Sequence, residues 1–188
     1  MLFRSRHPSG YLLDVGGLRV QPGRPEAMGK FDVMPGDVAS ELTQALALDW
    51  RPGNIISNGK RFSYLLASRR PRDTMNSIGT QLRSVLARSP GNTAQMNPRD
   101  MKASGVAPGS RIEIASDHGS VVATVRDDDT LREGVISLVH GWGSLPGEQD
   151  VNAGTCVNEL ISSAENVEAV NAMPRMSAIP VNVMPLAG

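Results

Sequence analysis

The chain has 188 residues, enough for one domain with an appendage and for a real buried core. Nineteen basic residues balance nineteen acidic ones, so nothing in the bulk charge favours nucleic acid or an acidic membrane. The single cysteine, Cys156, excludes an internal disulfide and any cysteine-based zinc or iron–sulfur site, and no apolar run approaches membrane-spanning length.

The N-terminal stretch is broken by turn signals at His7 to Gly10, Asp14 to Gly17, Pro22 to Pro25 and Met34 to Asp37. One helix is predicted there, Asp37 to Leu48, with Asp37 as its cap and an apolar stripe of Val38, Leu42, Ala45 and Leu46; Arg51-Pro52-Gly53 ends it. Residues 1–53 are therefore expected to be a lead-in with little core of its own, and residues 54–188 the folded body. The basic start at Met1 is not followed by the apolar stretch of a signal peptide. A soluble, cytoplasmic protein is the expectation, with export through an upstream segment left open.

From Asn54 the texture is that of short strands. Ile55-Ile56 and Phe62 to Leu66 flank Asn58-Gly59, a strong hairpin signal. The string ASRRPRDTMNS, Ala67 to Ser77, then places two arginines directly after a strand, and its planar donors, hydroxyls and amides suit phosphate. On charge alone these are ordinary surface arginines.

A short turn of helix is predicted over Ser84 to Arg88, followed by loop at Ser89 to Asn92. Asn97, Pro98 and Asp100 write the start of a helix, and Gly105 its end. After Pro108-Gly109, the alternation in Arg111 to Ile114 and the inward set Val121, Ala123 and Val125 predict a hairpin around Asp117-His118-Gly119. Asp127 to Asp129 lacks the alternating oxygen spacing of a calcium loop and reads as a solvated turn. Val135 to Val139 is a strand that empties into His140-Gly141-Trp142-Gly143, an aromatic loop between glycines where a ligand can sit. Pro146-Gly147 follows, then VNAGTCVNEL from Val151 to Leu160, and Ala178 to Val183 is predicted as a last strand at a sheet edge, where proline is tolerated.

Several of these residues have a plain structural reading. Asp117, His118 and Ser120 are too close along a turn to align as a catalytic triad. Cys156 reads as a small buried hydrophobe, and the scattered methionines as gap fillers.

Taken together, LLASRRPRDTMNS (Leu65 to Ser77), the Met96 to Val125 unit, the strand into HGWG, GTCVNELISS (Gly154 to Ser163) and MPRMSAIPV (Met173 to Val181) resemble, in order and spacing, the C-terminal dinucleotide-binding domain of the molybdopterin oxidoreductases. That family includes dimethyl sulfoxide reductase, formate dehydrogenase and nitrate reductase. GKFDVMP, Gly29 to Pro35, resembles the segment that precedes the domain.

The resemblance implies a mainly β fold, a six-stranded double-psi β-barrel with a few short helices, covering one side of a molybdopterin guanine dinucleotide that carries molybdenum or tungsten. It implies that Ser68, Arg69 and Arg70 approach the phosphates and ribose, with Asn76 and Ser77 just behind them. It places His140, Gly141 and Trp142 near the pterin, and Asn158 as an amide that hydrogen-bonds the cofactor. Cys156 departs from the polar residue expected in that turn. The metal-ligand and iron–sulfur domains of the family are not in this chain, so it is not expected to be catalytic alone. Its expected partners are the remaining domains or subunits of the oxidoreductase, with self-association through the face they would cover. The competing reading is a non-catalytic double-psi barrel that holds a protein partner.

Overall fold

The computed structural model describes residues 32–49, 51–143 and 154–186. The turns read before Met34, the Gly29 to Phe31 part of GKFDVMP, Pro146-Gly147 and Val151 to Ala153 lie outside them. Residues Pro35–Gly188 form one compact unit. Of the other, Met1–Met34, the described part is a short turn in which the Met34 N–H donates to Asp32 Oδ1 at 3.1 Å.

Helix α1 spans Gly36–Ala47. Asp37 is not its cap: Pro35 occupies that position without a side-chain hydrogen bond, and Asp37 sits in the first turn, accepting from the Val38 N–H at 2.9 Å. Proline already fixes the extended entry to the helix, so the chain turns helical one residue before the acid. The apolar stripe exists but buries none of its residues fully, with Val38 half-buried, Leu42 46% and Leu46 78% exposed. Strands β1 (Ile55–Ser57) and β2 (Lys60–Phe62) form the expected hairpin. Asn58 and Gly59 both have positive φ, at 47° and 73°, as the tight turn whose twist matches the strands requires.

Six further strands close a barrel: β3 (Tyr64–Arg69), β4 (Ala94–Met96), β5 (Arg111–Ala115), β6 (Ser120–Asp127), β7 (Val135–Val139) and β8 (Ser177–Pro185). Their order around it is β3-β7-β4-β6-β5-β8, with β3/β7 and β4/β6 parallel and the other four pairs antiparallel. Exchanging β3 with β6, β4 with β7 and β5 with β8 maps this ring onto itself. The barrel is thus a pseudo-duplicated, mixed double-psi arrangement whose two parallel pairs are equivalent.

The interior follows from strand alternation. Val121, Ala123 and Val125 are buried while Ser120, Val122, Thr124 and Arg126 face outward. Leu66, Met96, Ile112, Ile114, Ile136 and Leu138 are fully buried beside them, each such side chain stabilising by about 1.5–3 kcal/mol. Helices α2 (Arg83–Leu86) and α3 (Pro98–Ala103) and a 3-10 helix, Val157–Leu160, complete the described elements. Among these residues no helix is long and apolar enough to cross a membrane.

Strand β8 is not an edge, contrary to the sequence expectation, because β3 and β5 pair with its two sides. Two local features let Pro180 stay in the ladder. Ala178, at φ 56°, is the extra residue of a bulge that shifts the register between Leu66 and Ala67. The N–H of Leu65, opposite Pro180, donates instead to Gly134 at 2.9 Å, so this pair exchanges no hydrogen bond and the missing proline N–H leaves no gap.

Helix α3 begins and ends as its residues dictate. Asn97 accepts from the Arg99 N–H at 2.9 Å, Pro98 opens the helix, and Gly105 at φ 69° closes it, with the Val106 N–H reaching back to Met101 at 2.9 Å. Asp100 Oδ2 accepts from the Gly134 N–H at 2.7 Å, which fixes the approach to β7. Burial pushes the Asp100 carboxyl above its ordinary value; that hydrogen bond opposes the rise and the Glu133 charge adds to it. The folded state then holds the proton more tightly than the unfolded chain, so stability from this group falls as pH rises from about 4 through the raised value. Asp100→Asn removes the charge, so the variant should be the more stable at pH 7. Its melting temperature should converge on that of the parent as pH falls toward 4; curves that ran parallel throughout would contradict this.

Candidate functional site

Strands β3 and β7 run parallel in register, Ser68 beside Leu138 and Arg69 beside Val139, so the arginine loop and the His140 loop leave the barrel side by side. The His140 N–H extends the ladder, donating to the Arg69 carbonyl at 3.0 Å. Its Nδ1 lies 3.3 Å from Ser68 Oγ, and which atom donates depends on the imidazole tautomer. The other ring nitrogen, Nε2, is buried and has no hydrogen-bond partner among the described residues.

Gly141, at φ 84°, lies directly on the turn of the arginine loop. A Cβ there would sit 2.5 Å from the Asn76 carbonyl oxygen and 3.1 Å from the Ser77 nitrogen. Asn76 itself has φ 55°, and its turn is held by the Met75–Ile78 bridge and by Thr80 Oγ1 donating to the Ser77 carbonyl at 2.9 Å. Asn76 and Ser77 therefore support the His140 loop through their backbone while their side chains stay exposed.

Asn92 binds the arrangement from behind, a role its sequence context does not announce. Its Nδ2 donates to the Val139 carbonyl at 2.6 Å and to the Thr155 carbonyl at 2.8 Å, and its Oδ1 accepts from the Thr155 N–H at 2.7 Å. One buried amide thus ties the end of β7, the loop before β4 and the turn after Gly154. Gly154 is required beside it, since a Cβ would meet Asn92 Oδ1 at 2.6 Å.

Between these loops and the outer face of the barrel lies a cleft of about 370 Å³. Arg69, Arg70, Arg72 and Arg126 line it, with Gln95 between them and Trp142 at its inner side. Arg69 donates to Gln95 Oε1. Among the described residues none of the four arginines is ion-paired, whereas Asp73, which also lines the cleft, and Asp128 are engaged elsewhere. Asp73 pairs with Arg88 at 3.3 Å, and Asp128 accepts from the Thr130 hydroxyl at 2.6 Å. That hydrogen bond holds the Asp128 carboxyl below its ordinary value, with a further pull from Arg69. In a chain with zero formal charge, four guanidiniums without a direct ion pair in one cleft mark a place for an anion.

Ser68, Arg69, Arg70, Asn76, Ser77, His140, Gly141 and Trp142 are thus brought together. Of these only Arg69, Arg70 and Trp142 line the cleft itself. Asn158 is exposed on the 3-10 helix, two residues beyond Cys156, whose backbone packs on Gly143, and its neighbour Glu159 packs against the β5–β6 turn at Gly119. Cys156 is half-buried at the start of that helix, more exposed than the sequence suggested, because its backbone is what packs on Gly143. His118 is an exposed turn residue. No cluster of three or more metal-binding side chains occurs among the described residues.

These features define a double-psi barrel with a cationic cleft at the shared end of two parallel strands. The profile of the Molydopterin dinucleotide binding domain family matches residues 64–179, and the chain belongs to that family. Among solved structures, acetylene hydratase from Pelobacter acetylenicus is similar, with a TM-score of 0.59 and 19% identity. The match covers 66% of this chain and 18% of that protein, and at this identity what the two share is the fold. No curated protein sequence matches significantly.

The donor set fits a phosphorylated dinucleotide. The arginine cleft answers the phosphates, and Trp142 beside it gives an aromatic wall, while Gly141 and Gly143 let the His140 loop pack directly on the Asn76 and Thr155 backbones that shape the cleft's surroundings.

Proposed function

We propose that this chain supplies one wall of the site for a molybdopterin guanine dinucleotide, carrying molybdenum or tungsten, in a larger oxidoreductase whose other domains complete the site. The observation that carries this reading is the set of four unpaired guanidiniums on a cleft that also reaches the His140 loop. When bound, the metal held by the pterin dithiolenes supplies the two-electron redox chemistry. This chain's part is to bind, orient and shield.

Arg69 and Arg70 grip phosphate oxygens. Ser68 holds the His140 ring by Nδ1 and thereby steadies the loop that carries Trp142, whose buried ring excludes water at the inner side of the cleft. Asn158, outside the cleft lining, is assigned to a part of the cofactor that extends past the Thr155 turn. Met75, Ile78 and Leu82 are exposed on the segment after the arginines, a face suited to cover by the remaining domains. Family membership favours this reading over a peptide-holding module.

Replacing Arg69 and Arg70 by alanine should lower dinucleotide affinity by about two to four orders of magnitude, from two charge-assisted contacts of roughly 1.5–3 kcal/mol each. Both side chains are exposed, so stability should change little. Cofactor content of the assembled enzyme, read by metal analysis, should fall in parallel; unchanged affinity and content would refute the assignment.

A further inference from the structure

We infer that Arg126 is a further ligand-binding residue of this cleft, contributed by the opposite half of the pseudo-duplicated barrel, and that it sets a preference for a diphosphate over a single phosphate. This rests on the proposed phosphate role of the cleft and adds a residue that neither the sequence strings nor the family resemblance assigned.

Arg126 lies on β6, the pseudo-twofold counterpart of β3, which carries Arg69. Its neighbour Val125 points into the core, so strand alternation turns Arg126 outward, onto the face where Gln95 also lies. Gln95 is its register partner across the parallel β4–β6 pair. Arg69 reaches from β3 across β7 and donates to Gln95 Oε1. Gln95 is therefore a spacer: it tethers one guanidinium and has the other as its neighbour on the next strand, about 5 Å away in backbone terms. All three line the same cleft, and Arg126 has no carboxylate at ion-pair distance among the described residues.

A single phosphate held by Arg69 and Arg70 leaves Arg126 with nothing to neutralise. A second, covalently linked phosphate extending over Gln95 meets it. The linkage matters because the second contact then forms within an already bound ligand, at no further loss of translational freedom.

The test uses the full chain with inorganic pyrophosphate and orthophosphate as probes, titrated into parent, Arg126→Gln and the Arg69→Gln/Arg70→Gln double variant, with binding read by NMR shift or calorimetry. Arg126 is exposed, so the substitution leaves the fold intact, which a thermal melt verifies. Arg126→Gln should weaken pyrophosphate by about tenfold and leave orthophosphate within about twofold, while the double variant weakens both. Pyrophosphate affinity unchanged in Arg126→Gln, or both anions weakened equally by it, overturns the diphosphate role while the double variant's loss keeps the cleft as the phosphate site. A double variant that binds both anions like the parent removes the cleft reading itself.

Discussion

Replacing Asn92 by alanine should destabilise the protein by about 3 kcal/mol and release the ligand loops together. The amide makes three hydrogen bonds, to Val139, to the Thr155 carbonyl and from the Thr155 N–H, and Asn92 and Thr155 are both buried. Truncation removes all three and strips two carbonyls and one N–H of the partner this amide gives them. At about 1 kcal/mol per net hydrogen bond, and more for each stranded group, a loss of this size follows. For a chain of this length it corresponds to a fall in melting temperature of about 6–12 °C.

Asn92→Asp should be no better than alanine, although it is isosteric. It keeps an acceptor for the Thr155 N–H but turns oxygen toward the Val139 and Thr155 carbonyls, where the parent presents N–H. Thermal or denaturant unfolding of both variants is the measurement. An aspartate variant as stable as the parent would show that the two donated hydrogen bonds contribute nothing.

The same residue shows where sequence reading stops. Local chemistry was legible at most places where a residue acts on its own neighbours, the cap expected at Asp37 being the exception. Asn97 caps α3 and Gly105 closes it, Asn58-Gly59 turns the first hairpin, and the alternation from Arg111 to Val125 sets which side chains face inward. Asn92 partners groups 47 and 63 residues away, and no periodicity in a Ser-Pro-Gly-Asn loop encodes that. The misplacement of β8 has the same origin. Its proline suggested an edge, whereas the bulge at Ala178 and the direction of the Leu65 N–H, both products of pairing with β3, make an interior position tolerable.

The candidate site divides along the same line. The arginine and His140 loops were readable because each follows its strand immediately, and the parallel β3/β7 pairing then makes them neighbours. Arg126 and Gln95 join the cleft only because β4 lies between β7 and β6, a fact of topology. Asn158 was grouped with the others on resemblance; it stands exposed on the 3-10 helix, where its neighbour Glu159 meets the Gly119 turn.

Gly141→Ala should be a severely damaging single-methyl change at the site, and Gly105→Ala supplies its control. Both glycines have positive φ, 84° and 69°, so both substitutions carry the dihedral strain of an L-residue in the left-handed region, about 1 kcal/mol. They differ in what the new methyl meets. At Gly105 nothing lies within 4 Å, whereas at Gly141 the methyl falls 2.5 Å from the Asn76 carbonyl oxygen and 2.7 Å from its carbon. Those are backbone atoms of a turn already pinned by Thr80 and by the Met75–Ile78 bridge, so no side-chain rotation relieves the overlap. The two loops must separate, and the His140 ring loses its alignment with Ser68. The expected result is a loss of roughly 2–4 kcal/mol in stability for Gly141→Ala, against about 1 kcal/mol for Gly105→Ala. Dinucleotide affinity should fall at least tenfold in the first variant and stay unchanged in the second. Equal stabilities and equal affinities for the two variants would mean that the close approach of the His140 loop to Asn76 contributes nothing to the site.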